Sequence, residues 1–120
     1  MTALELQEAV HAAVAPVFGG RFYPHAAPEE PQYPYGIIST ESALPENTLC
    51  GRSDLTNYRM RIDVYSKTYA EVLALRGGVI VAMETLANIP RPIPLMDIDL
   101  YEPEIRAMRR VMDFSLWCRE

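Results

Sequence analysis

The sequence predicts an α+β domain: a mainly antiparallel sheet of four to five strands with two helices packed on one face. Three observations predict this class. One alternating strand leads directly into a helix, an amphipathic helix lies near the N-terminus, and two alternating C-terminal segments are joined by a short turn. This order of helix, strands, helix and hairpin is typical of α+β domains. A length of 120 residues fits one domain, which we assign to residues 1–120.

The strand that organises the chain is predicted at residues 57–65. Its apolar side chains alternate with polar ones, so one face lies on the core and the other elsewhere. The apolar set is Tyr58, Met60, Ile62 and Val64. Thr68 and Glu71 directly follow this strand and have the spacing of a capping box. A helix should therefore begin at Tyr69, and it should pack on the strand that precedes it.

The first helix is predicted at residues 3–15, with Leu6, Val10, Ala13 and Val14 on one stripe. Thr2 and Glu5 form another possible capping box. Pro16 should end or kink this helix, since proline disrupts the helical hydrogen bonds.

The second helix is predicted from Tyr69 to about Asn88. Gly77 and Gly78 lie in its middle, where each glycine costs about 1 kcal/mol relative to alanine. The apolar spacing stays in phase across the pair. We therefore interpret the two glycines as a point of close approach to the sheet rather than as a bend.

Four further segments complete the predicted sheet. Residues 21–23 read as a short edge strand and residues 35–40 as an apolar strand. Residues 95–101 and 106–118 alternate, and the short turn between them predicts an antiparallel hairpin. In the last strand, Met112, Phe114 and Leu116 share the face expected to join the core.

Residues 41–56 are polar, contain proline and glycine, and show no convincing period. We therefore predict a long loop, and loops of this length in compact domains are usually functional or disordered. Leu44, Leu49 and Leu55 lie within it, and a purely solvent-exposed loop has little reason to keep them. One interpretation is a mobile loop that packs on a neighbouring protein, and the other is an ordered loop folded back on its own domain.

Composition excludes several classes of function. The net charge of −5 offers no electrostatic reason for nucleic-acid or anionic-membrane binding. No apolar run approaches the roughly 20 residues of a membrane span, and we expect no signal peptide because Glu5 and Glu8 interrupt the N-terminal segment. Cys50 and Cys118 could pair, but two reduced thiols in a cytosolic protein are the favoured interpretation.

The sequence contains no recognised catalytic or phosphate-binding motif. His11 and His25 lack further residues at metal-ligand spacing, so we expect them to be packing or solvent residues. Asp97 and Asp99 lie two apart on a predicted strand and could hold a cation, although solvated edge charges are favoured. We therefore expect no catalysis, no cofactor and no metal.

The polar face of the sheet is more informative. Arg59, Arg61 and Asp63 on one strand should lie near Arg109 and Asp113 on another. This mixed-sign surface has two interpretations. It is either a solvated face with cross-strand charge pairs or a polar protein–protein interface in which charges set register and partner choice.

Several short segments between residues 18 and 117 carry a family resemblance in their order and spacing. They are Phe18–Pro24, Ala27–Pro28, Tyr33–Tyr35, Pro45–Leu49 with Gly51, Asp63–Glu71, Asp99–Glu104 and Asp113–Trp117. The chain resembles the small tail-completion proteins of long-tailed bacteriophages and prophages, also described as tail terminator or head–tail joining proteins. It departs from them at Gly77–Gly78, where relatives have ordinary helix formers.

The resemblance implies an α+β structural protein without catalysis or cofactor, which forms a ring, expected to be six-fold, on the end of the tail tube. Its implied partners are further copies of itself, the tail-tube protein and the head-connector protein, with no nucleic-acid contact required. Its implied location is the host cytoplasm during assembly and then the virion tail. The alternative is a small ligand- or partner-binding α+β domain of bacterial origin without a phage role.

We place the candidate interface on the long predicted loop and the polar sheet face. Its residues are Leu44, Asn47, Leu49, Arg52, Leu55, Arg59, Arg61 and Arg109.

Overall fold

A computed structural model describes residues 2–49, 51–87 and 89–119. Helix α1 spans Ala3–Val14 and continues as a 3₁₀ turn over Ala15–Phe18, and helix α2 spans Tyr69–Glu84. The strands are β1 (Phe22–Pro24), β2 (Tyr35–Thr48), β3 (Gly51–Ser66), β4 (Ile93–Glu102) and β5 (Ala107–Arg119). No helix in these described ranges is long and apolar enough to cross a membrane.

The five strands form one sheet in the order β1-β2-β3-β5-β4. The short edge strand β1 runs parallel to β2, and every other neighbouring pair is antiparallel. This architecture confirms the predicted α+β class, including the C-terminal hairpin.

The core lies between one face of the sheet and the two helices. Eight buried residues of the strands and of α2 form the centre of the core, six of them assigned there by the alternating patterns of the strands, and Ile80 is partly buried against them. The eight are Met60, Ile62, Val64, Val79, Met83, Met112, Phe114 and Leu116. Leu6, Val10 and Val14 of α1 complete the cluster, as the N-terminal stripe predicts.

The two predicted capping boxes have different outcomes. At α1 both bonds form: the Glu5 N–H donates to Thr2 Oγ1 at 3.1 Å, and the Thr2 N–H donates to Glu5 Oε1 at 3.3 Å. At α2 only the bond from the Glu71 N–H to Thr68 Oγ1 is present. The predicted return bond is wrong, because the buried Ser66 hydroxyl accepts from the Thr68 N–H and itself donates to the Glu71 carboxylate.

The predicted loop at residues 41–56 is wrong. These residues continue β2 and β3 as a long hairpin, which we call the arm, and Thr48 pairs directly with Gly51. The register shifts between Thr40 and Ser42 and again between Pro45 and Asn47. Such bulges break the period of two, which is why the strands left no pattern in the sequence. Cys50 lies outside the described residues.

The arm makes the molecule elongated, with principal extents of 52 × 25 × 24 Å. Strand β1 pairs only with residues 36–38 of β2, and β5 reaches β3 only as far as Leu55. At the end of the arm, Gly51 and Arg52 therefore pair with Thr48 and Asn47 of β2 beyond the reach of β5.

Of the two central glycines of α2, only Gly78 lies at a close approach, and that approach is not to the sheet. A Cβ at Gly78 would lie 2.9 Å from Val17 Cγ1, in the 3₁₀ turn that follows α1. A Cβ at Gly77 would meet no described atom within 4 Å. The close approach predicted from the sequence is thus present at Gly78, and its partner is the other helical segment.

The two glycines offer a matched pair of substitutions. Gly77→Ala should raise the free energy of unfolding by about 0.5–1 kcal/mol, since alanine favours a helix and the site is open. Gly78→Ala should lower it by about 1–3 kcal/mol, because the added methyl overpacks against Val17. Urea denaturation of both variants measures the difference. Equal stabilisation by the two alanines would show that α2 and the 3₁₀ turn do not pack at this distance.

Candidate interaction surface

The sheet face opposite the helices carries charged side chains in the middle of the molecule. Residues of β3 and β5 lie directly across from one another there: Arg59 opposite Ser115, Arg61 opposite Asp113, and Tyr65 opposite Arg109. The alternation of β3 that buries Met60 and Ile62 on the helix side directs these residues to the other side.

Asp113 is the centre of this face, and its side chain is 0% exposed. Arg59 donates to it from Nη2 at 2.8 Å, and Arg61 donates from Nε at 3.0 Å. Arg61 Nε also lies 3.4 Å from Glu41 at the base of the arm. Burial acts to raise the pKa of Asp113, but the hydrogen bonds from the two arginines outweigh it and lower that pKa below its ordinary value.

A second group lies beside the first. Arg109 donates to Asp63 at 3.1 Å and to Glu102 at 3.0 Å, and its guanidinium lies over the Tyr65 ring. Burial raises the pKa of Asp63, and Arg109 only partly opposes the shift. The remaining oxygen of Asp63, Oδ1, is buried without a hydrogen-bond partner among the described residues.

Both networks are cross-strand pairs, one of the two interpretations of the mixed-sign face. The pairing uses three of the four arginines assigned to the candidate interface, namely Arg59, Arg61 and Arg109, yet the Arg59 side chain is still 44% exposed. A guanidinium that is already oriented by a carboxylate can bind a partner with little further loss of entropy.

The arm carries the other candidate interface residues. Leu44 is 63% exposed and Leu49, at the turn, is 108% exposed. Asn47 is exposed and lies opposite Arg52, whose side chain is outside the described set, while Leu55 is half-buried near the base of the arm. The structure thus places Leu44, Asn47 and Leu49 along the projecting arm, whereas Arg59, Arg61 and Arg109 lie on the sheet.

Asp97 and Asp99 lie on the edge strand and form ion pairs there, and the Asp99 side chain is still 40% exposed. Asp97 accepts from Arg76 of α2 and Arg110 of β5, and Asp99 accepts from Arg110 at 2.7 Å and from the Tyr69 hydroxyl at 2.9 Å. Burial acts to raise the pKa of Asp97, but the two arginines lower it overall. Within the described part of the chain, no group of His, Cys, Asp and Glu could hold a metal ion.

A pocket of about 300 Å³ lies between α2 and β4. Its wall is mainly apolar, and the Arg76–Asp97 pair forms its polar part. The lining residues are Arg76, Ile80, Pro94, Leu95, Met96, Asp97, Met112 and Phe114. This lining contains no nucleophile with an adjacent base.

Sequence reasoning missed this pocket and the contact of Glu102 with Arg109, although it placed Asp63 near Arg109. The alternating pattern assigns each residue to a face, but it does not give the register that brings Glu102 to Arg109. His11 is a packing residue as expected, with its Nε2 2.7 Å from the carbonyl oxygen of Phe22.

Fold and surface together define a small α+β structural domain with a projecting arm. Residues 6–119 match the family described as tail completion protein gp17, and the chain belongs to that family of phage tail structural proteins. This match confirms the family resemblance seen in the sequence. No curated protein sequence matches the chain.

The chain is also similar to a solved structure titled "Virion of native gene transfer agent (GTA) particle". The TM-score is 0.75 at 18% identity, over 96% of this chain and 95% of that chain. At this identity the likeness shows a shared fold across almost the whole length of both chains.

Asp113→Asn should lower the free energy of unfolding at pH 7 by about 2–3 kcal/mol, because it removes the buried carboxylate that Arg59 and Arg61 share. The low pKa of the native carboxyl means that its stabilisation is complete above its unfolded value of about 3.9 and is lost as the pH falls below it. The difference in free energy of unfolding between variant and wild type, measured by urea denaturation, should therefore become smaller from pH 4 towards pH 2.

The control for that substitution is Asp54→Asn, which removes an exposed carboxylate 2.8 Å from Arg119. It should change the free energy of unfolding by less than about 1 kcal/mol. The prediction is contradicted if the Asp113 variant is as stable as this control and its difference in free energy of unfolding from wild type is the same at every pH. The buried cluster would then contribute nothing to stability.

Proposed function

We propose that the protein is a structural tail-completion protein that forms a ring, six-fold in symmetry, on the end of the phage tail tube. There it ends tube growth and presents a surface to the head connector. The observation that carries this proposal is the family match over residues 6–119. The virion-particle structure of the same fold supports it.

The structure is suited to this role in two ways. The sheet face is stiffened by charge pairs within the chain, so a preorganised surface is available to the tail-tube or connector protein. The arm projects from this body and exposes leucines to a neighbour. A net charge of −5 fits contacts with proteins better than contacts with phosphates.

In this proposal the protein assembles in the host cytoplasm and ends in the virion tail, with no catalytic step. The second candidate is a ligand- or partner-binding domain without a phage role. The pocket between α2 and β4 is the observation that favours it. Saturable binding of a small molecule in that pocket, by a protein that ignores tail tubes, would select the second candidate.

The arm can be removed without changing the register of the sheet. Pro45 and Thr56 are directly opposite one another, so an Asn-Gly turn can replace residues 46–55. Loop shortening costs little, and the described side chains among the removed residues are exposed or, at Leu55, half-buried, so the free energy of unfolding should change by no more than about 1 kcal/mol. The variant should no longer complete tails, scored as infectious particles from a phage that lacks its own copy of the gene.

Leu4→Asp is the surface control, since Leu4 is exposed on α1 away from the arm. This control should fold and complete tails normally. Normal tail completion by the shortened protein would exclude the arm as an assembly contact. If the shortened protein is unfolded, the arm is required for the stability of the fold.

A further inference from the structure

Strand β4 has an open backbone edge. It pairs with β5 on one side and is the last strand in the sheet order. In an antiparallel pair, every second residue directs its N–H and C=O groups away from the partner strand. Between Pro94 and Pro103, no other described backbone segment bonds to these outward groups. The edge can therefore pair with an added strand over about 26 Å, at about 3.3 Å per residue.

The exposed apolar side chains of β4 are divided between the two faces of the sheet. Ile98 and Leu100 lie on the face that carries Arg109, and each is 42% exposed. Tyr101 and the pocket residue Leu95 lie on the helix face and are 53% and 49% exposed. A helix or a sheet packed on one face would cover only one of these sets. A strand added beside β4 contacts both sets, because its own side chains alternate between the faces.

The charged residues of β4 are paired within the chain. Charged side chains commonly keep other strands away from an open edge. Here Asp97 and Asp99 both accept from Arg110 of the neighbouring strand. Glu102 accepts from Arg109 at 3.0 Å. A charge on the added strand would lose hydration and find no unpaired partner on β4, so the edge favours an uncharged segment.

The pocket between α2 and β4 indicates which side chain the added strand brings to the helix face. Residues 94–97 of β4 form one wall, and the core residues Met112 and Phe114 also line the pocket. An added strand lies about 4.8 Å beyond β4, so a long apolar side chain on its helix face can reach this space. The polar part of the wall, Arg76 with Asp97, is already an ion pair. An apolar side chain therefore fits the pocket best.

The other open edges of this chain do not provide an uncharged apolar strand. Strand β1 has only three residues and ends at Pro24. The edge of β2 beyond β1 carries Glu41 and Pro45. The edge of β3 beyond β5 carries Gly51 and Asp54. A second copy is therefore poorly suited to this edge, and a different protein is the better source of the strand.

We propose that β4 accepts an extended, uncharged segment of a different virion protein as an additional strand, with one apolar side chain in the pocket between α2 and β4. This inference rests on the proposed function and names how the protein holds a neighbour in the assembled particle. In strand addition, main-chain hydrogen bonds give affinity, and pockets for alternate side chains give specificity.

The size of the edge fits a single extended segment. A strip about 26 Å long and as wide as the roughly 10 Å thickness of a sheet amounts to about 260 Å² on each partner. A standard stable complex buries roughly 800 Å² on each partner. The edge is thus too small to hold two folded domains together by itself, and the added strand is one contact among several in the assembly.

Photo-crosslinking from both faces of β4 tests this proposal. Ile98→p-benzoylphenylalanine places the crosslinker on the charged face, and Tyr101→p-benzoylphenylalanine places it on the helix face. Leu4→p-benzoylphenylalanine is the matched control on α1. Each variant is supplied to a phage that lacks its own copy of the gene. The particles are scored for infectivity, purified and irradiated, and mass spectrometry identifies the linked peptides.

The expected result is that positions 98 and 101 link to the same short segment of one other virion protein, with no such link from position 4. Infectious particles with a link from only one face, links to separate segments, links to a second copy, or no link would overturn the inference and leave the proposed function intact. A wild-type protein that does not restore infectivity would overturn the proposed function, and this inference with it.

Hydrogen exchange of the wild-type protein decides the matter if a crosslinker variant does not restore infectivity. The outward amides of residues 95–102 should exchange rapidly in the free protein, because no described backbone group accepts from them. In purified particles this rapid phase should be lost from the peptide that covers β4. A rapid phase of the same amplitude in both states would overturn the inference.

Discussion

The pairing of β3 with a strand on each side is the constraint on which the rest of the structure depends. β3 joins β2 over almost its whole length and joins β5 from Leu55 to Ser66. Its helix-side residues form the centre of the core, so its register fixes where the opposite residues lie. Arg59 and Arg61 meet a buried Asp113 only in this register. One strand therefore positions both the core and the polar surface.

The buried Asp113 has a second consequence, for specificity rather than for net stability. Replacement of a buried ion pair by apolar residues is often neutral, whereas loss of one partner is costly. A register slip of one residue between β3 and β5 would bury arginines against the helices and leave the carboxylate without cations. The charge cluster thus selects one sheet register and one flat face. A protein that must present the same surface in every copy of an assembly requires that selection.

The regular elements were predictable because their patterns are periodic. Alternation of apolar and polar residues predicted the central part of β3 together with β4 and β5. The helical spacing of leucine and valine predicted α1. The arm was not predictable, because both of its faces meet solvent and two bulges interrupt its alternation, so a hairpin of this kind has the composition of a loop. The pocket depends on how α2 lies against the sheet. Gly78 controls that packing through its contact with Val17, which sequence spacing cannot reveal.

The central claim is that the protein acts at the end of a phage tail tube. Electron microscopy of cognate tail tubes, mixed with the purified protein, measures this directly. The account predicts a ring of added density with rotational symmetry at one end of each tube, and tubes that no longer lengthen when more tube protein is supplied. Unmodified tube ends at saturating protein, or density spread along the sides of the tubes, would contradict it.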